Sequence, residues 1–149
     1  MATKKACEGG QVRRICIIGS GHVGLVTGAC LADLGDRVTC MDDDFKKIEI
    51  LRQGIIPFYE PGLEELVRRN MGSGRLSFST SVEEACKNAD IIFVCVGTPQ
   101  KPGGGADSLY VEAASKRIAE AMDDYKVIVE KSTVPVKTGK WIRRTIELN

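Results

Sequence analysis

Apolar positions along the chain follow two alternating rhythms. Short stretches of β-forming residues occupy 13–18, 37–41, 75–79, 91–96 and 126–130 and read as strands. The least polar, Ile91-Ile92-Phe93-Val94-Cys95-Val96, suits a parallel strand covered on both faces. Between them, apolar residues recur every three or four positions, the period of a helix. Val23, Val26, Cys30, Leu31 and Leu34 are expected to form the buried side of the first helix, which Gly35 ends. A second helix is expected from Asp44 to Gln53, stopped by Gly54. A third starts at Pro61, a favoured first position, and ends within 70–74. Leu63, Leu66 and Val67 make its inner side. Thr80 or Ser81 caps a fourth, with Val82, Ala85, Cys86 and Ala89 inward. Two more are expected over 108–122 and 136–148, the last carrying Trp141, Ile142 and Ile146. Strands and helices alternate with no internal repeat. The expected class is α/β, a doubly wound parallel sheet with helices on both faces.

The junction between the first strand and the first helix carries candidate chemistry. It reads Gly19-Ser20-Gly21-His22-Val23-Gly24. In a strand–turn–helix context the first glycine permits the tight turn. The second admits a pyrophosphate close to the backbone, and the third lets helix and strand pack closely. The free N–H groups at the helix start then face the phosphates. Alone, this pattern is equally a plain turn. Asp42 changes its weight. It lies 23 positions beyond Gly19, at the end of the second strand, where a carboxylate accepts hydrogen bonds from a ribose diol. A carboxylate there also repels a 2′-phosphate, so NAD is expected rather than NADP, although Lys46 and Lys47 stand close by. Asp43 or Asp44 is left to cap the following helix. Together these pieces predict a Rossmann-type dinucleotide site.

Two more loops end strands at the same edge. Val96-Gly97-Thr98-Pro99 follows the fourth strand, and Lys131-Ser132-Thr133-Val134-Pro135 follows the fifth. Open α/β sheets bind ligands at that edge. Each loop is equally readable as an ordinary strand exit. The segment Ile55–Gly62, with two prolines and two aromatics, shapes a site or braces the domain, and the pattern does not choose between these.

Composition narrows the class. With 149 residues the chain suffices for one domain. A net charge of +1 gives no reason to expect nucleic acid, and no apolar run approaches a membrane span. Residues 1–12 are polar, lack the apolar core of a secretory signal, and read as a flexible leader before a domain over 13–149. The six cysteines form no C-x-x-C pair, and His22 is the sole histidine, so no metal site is expected. Cys16, Cys40 and Cys95 fall in strands and Cys30 on the inner helix face. They read as buried thiols in a reducing compartment, the cytoplasm.

The motifs taken together resemble the UDP-glucose 6-dehydrogenases. The resemblance rests on Ile17–Gly28, on Tyr59-Glu60-Pro61-Gly62-Leu63, on Val96–Pro99 and on Glu130–Val136, in the family's order and spacing. It implies NAD as cofactor and UDP-glucose as substrate of the full-length enzyme, with C6 oxidised twice to UDP-glucuronate. It also implies a homo-oligomer. By resemblance, the Gly19–Gly24 turn holds the pyrophosphate. Asp42 holds the adenosine ribose beside Lys47. Val96, Gly97, Thr98, Pro99, Gln100, Ser132 and Val134 line the nicotinamide half, and Thr133 takes part in the chemistry by positioning a water. His22 stands where the family commonly has tyrosine; that position is expected to shape the turn through its backbone.

The family's nucleophilic cysteine has no counterpart here, because it belongs to a later domain beyond Asn149. The chain is therefore expected to be the N-terminal cofactor-binding piece of a longer enzyme, inactive by itself, with the sugar-binding domains outside it. Alternatives are a GDP-mannose or UDP-N-acetylmannosamine 6-dehydrogenase, or a nucleotide-binding module without catalysis. The Tyr59–Leu63 segment favours UDP-glucose. A short-chain dehydrogenase is disfavoured, because Tyr59, Tyr110 and Tyr125 each lack a lysine four positions on.

Overall fold

A computed structural model describes residues 11–100, 107–133 and 138–148. Among them the five expected strands form one parallel sheet. They are β1 (Arg14–Ile18), β2 (Arg37–Met41), β3 (Leu76–Ser79), β4 (Ile91–Val94) and β5 (Val127–Glu130). Their spatial order is β3-β2-β1-β4-β5. The chain first steps outward from β1 to β3, then returns to lay β4 on the other side of β1. That reversal opens a crevice between β1 and β4 at their C-terminal ends. The register pairs Ile17 with Cys40 on one side and with Phe93 on the other.

The helices are α1 (His22–Asp33), α2 (Phe45–Arg52), α3 (Leu63–Gly72), α4 (Val82–Lys87), α5 (Leu109–Ala121) and α6 (Thr138–Leu148). Alternation along β1 divides the core in two. Ile15 and Ile17 join Leu25, Ala29, Ile48, Leu51 and Val67 on one face. Cys16 and Ile18 join Val82, Ala85, Ile92, Val94 and Ile118 on the other. Both faces of the sheet are thus covered, the reason its central strands are almost wholly apolar.

Local signals explain the boundaries. Asp44 caps α2 by accepting from the Lys47 N–H at 3.1 Å, and Ser81 caps α4 through the Glu84 N–H at 3.1 Å. Pro61 does not begin α3: Gly62, at φ 78°, is its N-cap, and the helix starts at Leu63. The apolar run at 91–96 is longer than its strand, which ends at Val94 as the chain turns towards the crevice.

One expectation is overturned in part. The fully buried residues of α1 are Gly24, Leu25, Gly28, Ala29 and Ala32; of the expected inner side, Val26 and Leu31 pack half-buried against that core. Val23, Cys30 and Leu34 are exposed. The helix lies so close to the sheet that small residues, Gly24, Gly28, Ala29 and Ala32, make most of its buried side, beside the fully buried Leu25. A Cβ on Gly28 would stand 2.6 Å from the Cys40 sulfur. Cys16, Cys40, Cys86 and Cys95 are buried free thiols. Cys7, most of segment 1–12 and the start of the last helix lie outside the described residues.

Candidate functional site

The three glycines of the turn do three different things. Gly19 has φ 98°, and a Cβ there would meet the Cys95 carbonyl oxygen at 2.6 Å. Gly24 packs its Cα against the turn itself: a Cβ would lie 1.8 Å from the Gly19 carbonyl oxygen. Gly21 faces open space, with nothing within 4 Å of a Cβ position. Gly19 and Gly24 are required by the fold. Gly21 is required only if something else comes close.

The turn is fastened to β2. The Gly19 N–H donates to the Met41 carbonyl at 2.8 Å. Ser20 is buried; its hydroxyl donates to the same carbonyl, and its N–H donates to Asp42 Oδ2 at 2.8 Å. Asp42 also accepts from Lys47 Nζ at 2.8 Å and from the Asp44 N–H at 3.0 Å. The carboxylate is thus preset at the mouth of the crevice, with Lys47 partly neutralising it. Lys47 and Asp42 are one turn of chain apart, and the α2 cap at Asp44 brings them together.

A cavity of about 520 Å³ opens here, between Gly19, Gly21, Asp42, Lys47, Val96 and Gly97. Its far wall comes from α5 and α4. Val82, Tyr110, Ala113 and Arg117 line it, and Arg117 Nη1 donates to both oxygens of Asp43 at 2.7 Å. None of these wall residues was singled out by motif. The available signal was the spacing of Tyr110, Ala113 and Arg117, which share a side of α5 at i, i+3 and i+7.

A second cavity of about 240 Å³ adjoins the first at Gly21 and Gly97. Its lining includes His22, Val23, Thr98, Lys131, Ser132 and Thr133. The loop after β5 is anchored to β4: the Lys131 N–H donates to the Val94 carbonyl at 3.0 Å, and the Ser132 hydroxyl to the same oxygen at 3.3 Å. Glu130 folds back so that its Oε1 accepts from the Ser132 N–H at 2.6 Å. Burial raises the Glu130 carboxyl above the usual glutamate range, against the lowering effect of that bond. The Thr98 and Thr133 hydroxyls are 2.9 Å apart.

The crevice therefore gathers Gly19, Gly21, His22, Val23, Asp42, Lys47, Val96, Gly97, Thr98, Ser132 and Thr133. Ser20 and Gly24 support the turn from beneath. Pro99 and Gln100 are exposed and line neither cavity; the Pro99 carbonyl instead accepts from the Asp107 N–H at 2.8 Å. Val134 lies outside the described residues. His22 does more than lend its backbone. Its ring stacks on Phe58 at 4.8 Å and its Nε2 lies 2.7 Å from Glu60 Oε2, tying the turn to the loop before α3.

A dinucleotide fits this arrangement: a groove left open by Gly21, N–H groups of a helix start beside it, and a preset carboxylate at one end. Cys95 borders both cavities, but burial pushes its thiol up to about 11, which makes it a poor nucleophile at neutral pH. Among the described residues no group of three His, Cys, Asp or Glu is placed to hold a metal, and no helix is long and apolar enough to cross a membrane.

Comparison with known proteins agrees with the geometry. The model of the NAD binding domain of the UDP-glucose/GDP-mannose dehydrogenase family matches residues 13–149. The UDP-glucose 6-dehydrogenase TuaD of Bacillus subtilis is 48% identical over 136 residues, covering 91% of this chain and 30% of that protein. The UDP-glucose 6-dehydrogenase YwqF of the same organism is 52% identical over 132 residues, covering 89% and 30%. A UDP-glucose dehydrogenase structure from Pyrobaculum islandicum aligns with a TM-score of 0.90 at 40% identity, over 95% of this chain and 34% of that one. A GDP-mannose dehydrogenase structure from Pseudomonas aeruginosa aligns at 0.85 and 37%, over 90% and 32%. The chain spans about 30% of the length of the curated relatives it matches. It belongs to the UDP-glucose/GDP-mannose dehydrogenase family, as that family's NAD-binding domain.

Proposed function

We propose that this domain serves a UDP-glucose 6-dehydrogenase, which oxidises C6 of UDP-glucose twice to give UDP-glucuronate and uses two NAD. One observation carries the reading. The Gly19–Gly24 turn, Asp42 and the loops after β4 and β5 converge on one crevice at the strand reversal. The relatives at 48% and 52% identity, both UDP-glucose 6-dehydrogenases, support this sugar over GDP-mannose.

In this reading the N–H groups at the α1 start hold the diphosphate. Asp42 accepts from the adenosine ribose, with Lys47 holding its carboxylate in place. Val96, Gly97, Thr98 and Ser132 line the nicotinamide half. The Thr133 hydroxyl orients a water near the reacting carbon. NAD, when bound, supplies the hydride acceptor. The sugar site and the nucleophilic cysteine belong to domains outside this chain, and the full-length enzyme is a cytoplasmic homo-oligomer. The free thiols at Cys16, Cys30, Cys40, Cys86 and Cys95 are in keeping with a reducing compartment.

Two measurements test this. Titration calorimetry on the 149-residue chain should detect NAD binding, while NAD plus UDP-glucose should yield no NADH. A chain extended through the sugar-binding domains should form two NADH per UDP-glucose. Turnover of GDP-mannose or UDP-N-acetylmannosamine in its place would transfer the reading to those siblings. Turnover by the 149-residue chain would refute the missing-nucleophile argument.

A further inference from the structure

The 240 Å³ cavity is bordered by the glycine turn and by two loops from adjacent strands, and among the described residues a side-chain bond joins these loops. Thr98 follows β4 and Thr133 follows β5; their hydroxyls meet at 2.9 Å. Lys131 and Ser132, the described residues between β5 and Thr133, are held without Thr98. The Lys131 N–H and the Ser132 side chain are bonded to Val94, and Glu130 holds the Ser132 N–H. Removing the Thr98 hydroxyl thus leaves the anchors at Lys131 and Ser132 in place and frees the Thr133 hydroxyl. A threonine hydroxyl has one proton and two lone pairs. Paired, the Thr133 hydroxyl is fixed in direction; unpaired, it rotates between the cavity and solvent.

The location decides what this hydroxyl meets. Asp42 marks the adenosine end of the crevice and the glycine turn its middle. The smaller cavity is what remains for the other half of a dinucleotide. We propose that Thr98 is a positioning residue, which acts through Thr133 by aiming its hydroxyl at the nicotinamide nucleoside of the cofactor. The inference rests on the reading of the crevice as an NAD site and adds to it that the two threonines work as one unit. A direct, independent contact by each threonine is the competing arrangement.

The test uses the 149-residue chain and two ligands, NADH and ADP-ribose, which lacks the nicotinamide. Thr98→Val keeps the β-branched shape and removes the hydroxyl. Thr98→Val and Thr133→Val should each weaken NADH binding about five-fold, the net worth of roughly one hydrogen bond. The double variant should be no weaker than the single ones, Thr98→Ser should restore affinity, and ADP-ribose should bind all of them equally. Losses that multiply in the double variant would show that each threonine acts alone. An equal loss for ADP-ribose would show that the crevice as a whole has shifted, and a wild-type chain binding both ligands equally would show that the nicotinamide half is not sensed. Each of these overturns the proposal while leaving the NAD site standing. If the wild-type chain binds neither ligand, the reading of the crevice falls, and this proposal with it.

Discussion

His22 Nε2 lies 2.7 Å from Glu60 Oε2, so a side chain from the glycine turn reaches 38 positions along the chain to hold the loop before α3. The same ring stacks on Phe58 at 15° between planes. The loop's role, open from sequence, is at least in part to brace the turn. His22→Ala removes both contacts, and Glu60→Gln weakens only the polar one. The exposed pair contributes about 1 kcal/mol or less and the stack about 1 kcal/mol. A thermal melt should therefore fall by about 4–8 °C for His22→Ala and by half of that or less for Glu60→Gln. Hydrogen exchange at 55–62 should accelerate in both.

The glycines separate fold from binding. Gly24→Ala drives a Cβ into the Gly19 carbonyl, and Gly28→Ala drives one into the Cys40 sulfur. Each should cost about 1–3 kcal/mol or more, seen as a lowered urea midpoint. At Gly21 a Cβ has no atom within 4 Å, and the backbone is one that valine adopts (φ −74°, ψ −169°), so Gly21→Val fits the free domain. It should unfold within about 1 kcal/mol of wild type, yet lose NAD binding by calorimetry. Undiminished affinity in that variant would place the diphosphate elsewhere.

Asp42 presents its carboxylate with Lys47 and two N–H groups already bound to it. NADH should bind at least about ten-fold more tightly than NADPH, since a 2′-phosphate would meet this carboxylate. Asp42→Ser should narrow the gap, because Lys47 is then free to meet the phosphate. A wild-type preference for NADPH in parallel titrations would be incompatible with the ribose assignment.

Glu130 gives a pH signature. Its carboxyl titrates above the usual glutamate range because burial disfavours the charge. A raised folded-state value means that the stabilising contribution is complete below the unfolded value and is lost as pH rises through the folded one. Glu130→Gln stays neutral, so the stability difference, wild type minus variant, should decline across that rise. Asp33, lowered mainly by its bond from Arg69, runs the other way: its contribution is present above the unfolded value and fades as pH falls through the folded one. Urea midpoints of wild type, Glu130→Gln and Asp33→Asn across pH resolve the two limbs.

Most of the architecture was legible because it is written locally. Strand runs, caps at Asp44 and Ser81, and the glycines ending helices need only neighbouring residues to be read. The inner side of α1 was legible only in part: Val26 and Leu31 do pack on the core, but periodicity weighs large apolar residues, whereas the short distance from α1 to the sheet selects mostly small ones, Gly24, Gly28, Ala29 and Ala32, beside Leu25. Tyr110 and Arg117 were passed over for a related reason. Their spacing with Ala113 puts them on one side of α5, but only the tertiary fold sets that side opposite Asp43.

By itself, then, the order of residues determined the alternating elements, the parallel sheet, the glycine turn between β1 and α1 and the position of Asp42 at the end of β2. These depend on periodicity and short-range spacing, which the chain carries at every position. The tertiary structure alone decided that His22 holds Glu60, that Asp43 holds Arg117, and that Thr98 meets Thr133. Those partners lie 38, 74 and 35 positions apart. The last two pairs meet because β4 returns to the side of β1 away from β2 and brings distant loops to one edge of the sheet, whereas His22 and Glu60 meet because α3 packs against α1.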